Sequence, residues 1–133
     1  MIPQKIEHLG IAVPSIAEAL PYYEGVLGMT CYAIEEVADQ KVKTACFKIG
    51  EVKIELLEAT SPDSTIASFI EKKGQGVHHI AFAVEDTDKA LNDAQDNGVK
   101  LIDKQSRGGA EGLKIGFLHP KSTAGVLTEL CEG

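Results

Sequence analysis

Cysteine is scarce in this chain, and what there is makes no framework. Cys31, Cys46 and Cys131 are an odd number without CxxC spacing, which argues against a disulfide scaffold and suits a reducing compartment. No apolar run approaches the roughly 20 residues of a membrane span. The first strand begins within five residues of Met1, which leaves no room for a signal peptide, and a cytoplasmic location is expected. Positive charge is also short: 13 Lys and Arg stand against 20 Asp and Glu, a net charge of −7. That balance disfavours a nucleic-acid surface, which needs clustered cations, but it allows one anionic small molecule held by a few local lysines. There is no glycine-rich phosphate loop of the P-loop or Rossmann type, and no low-complexity stretch or linker. Residues 1–133 are expected to form a single domain.

What is present is an internal repeat. His8-Leu-Gly-Ile-Ala-Val13 matches His79-Ile-Ala-Phe-Ala-Val84 at an offset of 71, and Val52-Lys-Ile-Glu55-Leu-Leu-Glu58 matches Val126-Leu-Thr-Glu129-Leu-Cys-Glu132 at an offset of 74. Each half opens on a histidine-bearing apolar strand and closes on a glutamate-bearing one. Duplication places equivalent residues around a shared axis, so two histidines and two carboxylates are expected to meet in a divalent-metal site.

The elements read off the pattern are the same in both halves. Strand alternation puts Leu9, Ile11 and Val13 on one face and His8, Gly10 and Ala12 on the other, with Ile80, Phe82 and Val84 opposed to His79, Ala81 and Ala83 in the second copy. The small residues beside each histidine are expected to leave room for a ligand. Ser15-Ile-Ala-Glu18 reads as a capping box opening a helix that Gly28 stops, and Asp86 or Thr87 opens a second helix, with Ala90, Leu91 and Ala94 buried, that Gly98 ends. Strands follow near 30–37, 41–49 and 52–59, and in the second half near 100–103, 112–118 and 125–131, with Arg107–Gly112 as a glycine-rich loop. Ser61-Pro62 is expected to open a connecting helix that closes by Gly74. The expected fold class is therefore α+β: paired βαβββ modules, 5–60 and 76–132, joined by a helix near 62–73, forming a curled mixed sheet around a metal-binding cleft.

A single strand histidine is more often a satisfied core residue than a ligand. Two at equivalent positions beside small residues reverse that weighting for His8 and His79. Glu55 and Glu129 interrupt apolar strands, and burying a carboxylate is costly unless it is paired or bound to metal. His78 points to the opposite face and reads as structural; His119, in a Leu-His-Pro turn, reads as a loop hydrogen-bonder. Two imidazoles with two carboxylates suit Co²⁺, Mn²⁺, Ni²⁺, Zn²⁺ or Fe²⁺ better than Ca²⁺.

His8-Leu-Gly-Ile-Ala-Val13, Gly76-Val-His-His-Ile-Ala-Phe-Ala-Val84, Phe117-Leu-His-Pro-Lys-Ser122 and Gly125-Val-Leu-Thr-Glu-Leu130 resemble the methylmalonyl-CoA epimerase family of the vicinal oxygen chelate (glyoxalase) superfamily over nearly the whole chain. The resemblance implies an isomerase that moves the C2 proton of an acyl-CoA, a homodimer, and one divalent ion, Co²⁺ foremost. It implies His8, His79, Glu129 and Glu55 as metal ligands. Some members carry a glutamate on the third strand assigned as a base, where this chain reads Lys43-Thr44-Ala45. Because inversion needs proton donors on opposite faces, which equivalent strands of a pseudo-two-fold cleft can supply, Glu55 and Glu129 are the candidate bases. Lys114, Lys121, Ser122 and Thr123, with Arg107 nearby, are the candidates for holding the coenzyme. The alternatives are a glyoxalase I-like lactoylglutathione lyase, a non-catalytic small-molecule-binding protein of the same superfamily, and an Fe²⁺ dioxygenase using His8, His79 and Glu129.

Overall fold

The computed structural model describes residues 1–132. In chain order these form β1 (Lys5–Ala12), α1 (Ile16–Leu20), β2 (Ala33–Val37), β3 (Val42–Ile49), β4 (Val52–Ala59), α2 (Thr65–Lys73), β5 (Gly76–Ala83), α3 (Thr87–Asp96), β6 (Arg107–Gly108), β7 (Lys114–Leu118) and β8 (Thr128–Glu132). The order β-α-β-β-β thus occurs twice. The chain divides into two compact units, one of Leu9–His78 and one of Met1–His8 with His79–Gly133.

In the Leu9–His78 unit the strand order is β2-β3-β4-β1. Both β2–β3 and β3–β4 are antiparallel hairpins, the second turning at Gly50, whose φ of 58° lies in the left-handed region that glycine tolerates. Val13, Ile16, Ala45, Phe47 and Leu56 make one apolar cluster of this unit, and Ala12, Val42, Leu57 and Ile66 a second. α1 runs on without a break into a π-helical turn over Pro21–Val26.

In the other unit the order is β1-β5-β8-β7-β6. β5 and β8 are parallel, while β8–β7 and β7–β6 are antiparallel, so the sheet is mixed and the class is α+β, as expected. The pleat sorts side chains cleanly. Val84, Leu118 and Leu130 pack with Ala90, Leu91 and Ala94 of α3. Neighbours of opposite parity, Ala81, Ile115, Phe117 and Cys131, make a separate cluster.

Three local expectations change. The connecting helix is capped by Ser64, whose Oγ accepts the Ala67 N–H at 3.0 Å; Ser61 and Pro62 lie in the preceding turn, where Asp63 bonds both Ser61 and Lys41. The segment near 100–103 makes only an isolated bridge, Leu101 to Leu118, because the Asp103 side chain accepts the Phe117 N–H at 2.9 Å. The first of the three strands after α3 is instead the short β6, within the glycine-rich stretch. Finally, Ala12 and Ala81 are fully buried in apolar clusters, so neither borders open space.

The repeat extends to the helix caps. Ser15 and Asp86 each accept the N–H three residues on, Glu18 at 3.2 Å and Lys89 at 3.1 Å. The first helical N–H is taken from a strand: Ile16 donates to Glu58 at 2.6 Å, and Thr87 donates to Glu132 at 3.2 Å. The second glutamate of each Glu-x-x-Glu match therefore satisfies a helix N-terminus within its own unit.

Candidate metal centre

Three of the four expected ligands converge. His8 on β1, His79 on β5 and Glu129 on β8 are 3%, 4% and 4% exposed. The parallel register sets Ala81 beside Glu129, and side chains two residues apart share a face, so the same pleat presents His79 toward Glu129. His8 Nε2 lies 3.0 Å from His79 Nε2, His79 Nε2 lies 3.2 Å from Glu129 Oε1, and His8 Nε2 lies 3.7 Å from Glu129 Oε2. The His79 ring also meets Phe117 edge-on, with centroids 5.4 Å apart.

These separations test the donor set against an ion. Donors about 2.1 Å from a common metal stand roughly 3.0 Å apart along an octahedral edge and roughly 3.4 Å along a tetrahedral one. The two distances that share His79 Nε2, 3.0 and 3.2 Å, fall in that range, and the 3.7 Å separation runs to the other Glu129 oxygen, so the three side chains gather within reach of one ion. Two imidazole nitrogens 3.0 Å apart can share only one proton, so in the metal-free protein one must donate to the other; an ion between them removes that conflict. The residues fit a divalent cation of the N/O-binding class.

Charge in the site favours the same use. Burial pushes the Glu129 carboxyl up, and this is the largest single influence, but the hydrogen bond from His79, with the His8 ring close by, outweighs it and holds the group below the ordinary carboxylate range. The carboxylate is therefore ionised at any working pH, which a ligand requires. Such an acid anion is a weak base while it stays bonded to the histidines.

Glu55 lies in the other unit, buried in the middle of β4 and opposite Cys46 in the β3–β4 register. His78 packs edge-on against Phe69, with centroids 5.0 Å apart, and His119 Nδ1 accepts the Lys121 N–H at 3.0 Å; both have the structural roles expected of them. The coenzyme candidates are placed less simply. Lys121 and Lys114 are both exposed, and Lys114 Nζ lies 4.0 Å from Glu132. Ser122 Oγ accepts the Lys100 N–H at 3.0 Å, and Thr123 Oγ1 donates to the Val126 carbonyl at 2.5 Å, so these two hydroxyls brace their own loop. Arg107 bonds Asp103 and sits over the Phe117 ring.

Sequence reasoning passed over Glu7. It is 8% exposed, and its Oε1 lies 2.6 Å from His8 Nδ1. Strand alternation assigns neighbours to opposite faces, so no periodic signal marks a residue that reaches round to its own neighbour.

Comparison with known proteins identifies relatives over nearly the whole chain. The sequence model of the Glyoxalase/Bleomycin resistance protein/Dioxygenase superfamily matches residues 7–117. Human mitochondrial methylmalonyl-CoA epimerase is 33% identical over 95% of this chain and 72% of its own length. The uncharacterized protein YqjC of Bacillus subtilis is 48% identical over 96% of this chain and 91% of its own. Among solved structures, a methylmalonyl-CoA epimerase in complex with methylmalonyl-CoA and NH4+ superposes with a TM-score of 0.95 at 36% identity, covering 99% of this chain and 96% of that one.

Proposed function

The chain belongs to the methylmalonyl-CoA epimerase family of the glyoxalase/bleomycin resistance protein/dioxygenase superfamily, and from that premise we propose that it interconverts (R)- and (S)-methylmalonyl-CoA by removing and returning the proton at C2. The observation that carries the reading is the buried His8–His79–Glu129 face, whose spacing suits a divalent ion. Glu55 is proposed as the fourth ligand and Co²⁺ as the first metal to try, ahead of Mn²⁺, Ni²⁺, Zn²⁺ and Fe²⁺. A cation held there supplies Lewis-acid stabilisation of the negative charge that develops when C2–H is lost.

The protein's own groups supply the rest. His8 and His79 are anchored on adjacent strands and hold fixed directions. Inversion needs a proton acceptor and a donor on opposite faces of C2, and we assign these to Glu129 and Glu55. Glu129 can take a proton only after loosening its hold on the two imidazoles. Lys121, exposed on its turn, is the first choice for the anionic coenzyme, with Lys114 second, while Ser122 and Thr123 shape the loop that presents Lys121. The proposal treats residues 1–133 as one domain of two modules, 5–60 and 76–132, acting as a cytoplasmic homodimer. Among the described residues no helix is long and apolar enough to cross a membrane.

The test is proton NMR of methylmalonyl-CoA in D₂O with metal-free protein, before and after Co²⁺. Collapse of the methyl doublet as C2 takes up deuterium, faster than with Co²⁺ alone, is the expected result. No exchange with any of several divalent ions would overturn the proposal, and turnover of the methylglyoxal–glutathione adduct instead would assign a lactoylglutathione lyase.

A further inference from the structure

Resting on that reading of the metal site, we propose that Glu7 is a positioning residue: it holds His8 in the tautomer that carries its proton on Nδ1, so that the Nε2 lone pair faces His79 and Glu129. The geometry leaves little freedom. Glu7 Oε1 lies 2.6 Å from His8 Nδ1, at the short end for a nitrogen donor and a carboxylate. A carboxylate can only accept, so the proton of this contact belongs to Nδ1. His8 Nε2 is then the bare nitrogen, and it is the atom 3.0 Å from His79 Nε2.

The surroundings strengthen the bond. Glu7 and His8 are 8% and 3% exposed. Glu7, His8 and Cys131 each place a donor atom within 4.8 Å of the others, and Cys131 is fully buried in the cluster with Ala81, Ile115 and Phe117. Water is largely kept from the pair, so the carboxylate acts on the imidazole at low dielectric. Such a partner fixes ring orientation and raises the donor strength of the far nitrogen, and losing it typically weakens metal binding by about 10- to 100-fold. The corresponding position in the second half is His78, which packs against Phe69.

The experiment uses the full chain without metal and two variants, Glu7→Leu, which removes the acceptor while keeping bulk, and Glu7→Gln, which keeps a neutral one. Long-range ¹H–¹⁵N correlation of the His8 ring, at mildly alkaline pH where imidazole is neutral, reads the tautomer directly. Competition with a chromophoric chelator reads Co²⁺ affinity. Wild type should show the proton on Nδ1. Glu7→Leu should populate the Nε2–H form and lose about 10- to 100-fold in Co²⁺ affinity, with Glu7→Gln between. A Glu7→Leu protein that keeps the Nδ1–H form overturns the proposal, whatever its affinity, and so does one that changes tautomer but binds Co²⁺ as wild type does. If wild type itself takes up no Co²⁺, the metal reading fails, and the tautomer measurement still decides the role of Glu7.

Discussion

The paired helix caps yield a quantitative test of the repeat. Glu58 accepts the first N–H of α1 at 2.6 Å and Glu132 accepts that of α3 at 3.2 Å. A hydrogen bond to a charged partner contributes about 1.5–3 kcal/mol when shielded, and an anion at a helix N-terminus adds about 0.3–1 kcal/mol. Both glutamates are only half-buried, which moves each toward the lower end. The longer contact at Glu132, whose carboxylate also faces Lys114 at 4.0 Å, should contribute less. Glu58→Ala is therefore expected to cost about 2 kcal/mol and Glu132→Ala about 1 kcal/mol. Urea unfolding of the metal-free protein measures this, provided the slope is unchanged. Amide exchange at Ile16 in the first variant and at Thr87 in the second localises the loss. If Glu58→Ala falls within about 0.5 kcal/mol of wild type, the range of an ordinary surface change, or if Glu132→Ala costs more than Glu58→Ala, the capping argument is wrong.

Other predictions follow from single contacts. Glu129→Gln should cut C2 deuterium exchange by at least about 100-fold while leaving the far-ultraviolet circular dichroism unchanged; exchange at the wild-type rate would remove Glu129 from the mechanism. His79→Ala deletes one corner of the ligand triangle, so isothermal titration with Co²⁺ should show affinity falling well beyond the loss at Glu7, and equal losses would argue against direct ligation. Asp88 accepts both the Ser106 N–H, at 2.6 Å, and the Ser106 hydroxyl, at 2.8 Å, and these bonds hold its carboxyl below the ordinary 3.8. A lowered value means stability that is present above the ordinary value and lost as pH falls through the folded one. Asp88→Asn should thus destabilise at neutral pH, with the gap from wild type closing only on acidification below about 4, as stability curves across pH will read. Gly116→Ala places a Cβ 2.7 Å from Cδ1 of the fully buried Leu91, and overpacking of that kind costs about 1–3 kcal/mol; a calorimetric Tm equal to wild type would refute the packing of α3 against β7.

Much of this was legible because duplication reports on itself. A histidine in a strand carries little information alone, but His8 and His79 at one offset, with Glu129 closing the second copy, marked three side chains that the fold does bring within bonding distance. Element type was equally readable where the period was long, as in β1, β3, β4, β5 and α3. The misplaced pieces were those decided by a single side chain. Asp103 takes the Phe117 N–H that a strand at 100–103 would have bonded, and one aspartate in an apolar stretch gives no warning of that. The α2 start moved from Ser61 to Ser64 because Asp63 ties the Ser61–Pro62 turn down, and either serine satisfies the capping rule. Glu58 and Glu132 were visible as a repeated pair without a visible purpose, since their partners are backbone groups some 40 residues away.

The repeat also explains why the site is not symmetric. A perfectly symmetric pair would treat both histidines alike and leave the single proton between their Nε2 atoms with no preferred owner. The position before each histidine breaks the tie. In the first copy it is Glu7, which occupies the Nδ1 side of His8 and frees its Nε2; in the second it is His78, turned to Phe69, while His79 meets Glu129 and Phe117. The proton between the two rings then belongs to His79 Nε2, so a divalent ion bound at that nitrogen must shift it to His79 Nδ1, with no net release from a neutral ring. Long-range ¹H–¹⁵N correlation of the His79 ring at mildly alkaline pH, before and after the diamagnetic ion Zn²⁺, reads that shift. Wild-type His79 passing from the Nε2–H to the Nδ1–H form on Zn²⁺ uptake is the outcome this ownership requires, and a metal-free His79 already protonated on Nδ1 in wild type, as expected for Glu7→Leu, would mean that Glu7 does not decide it.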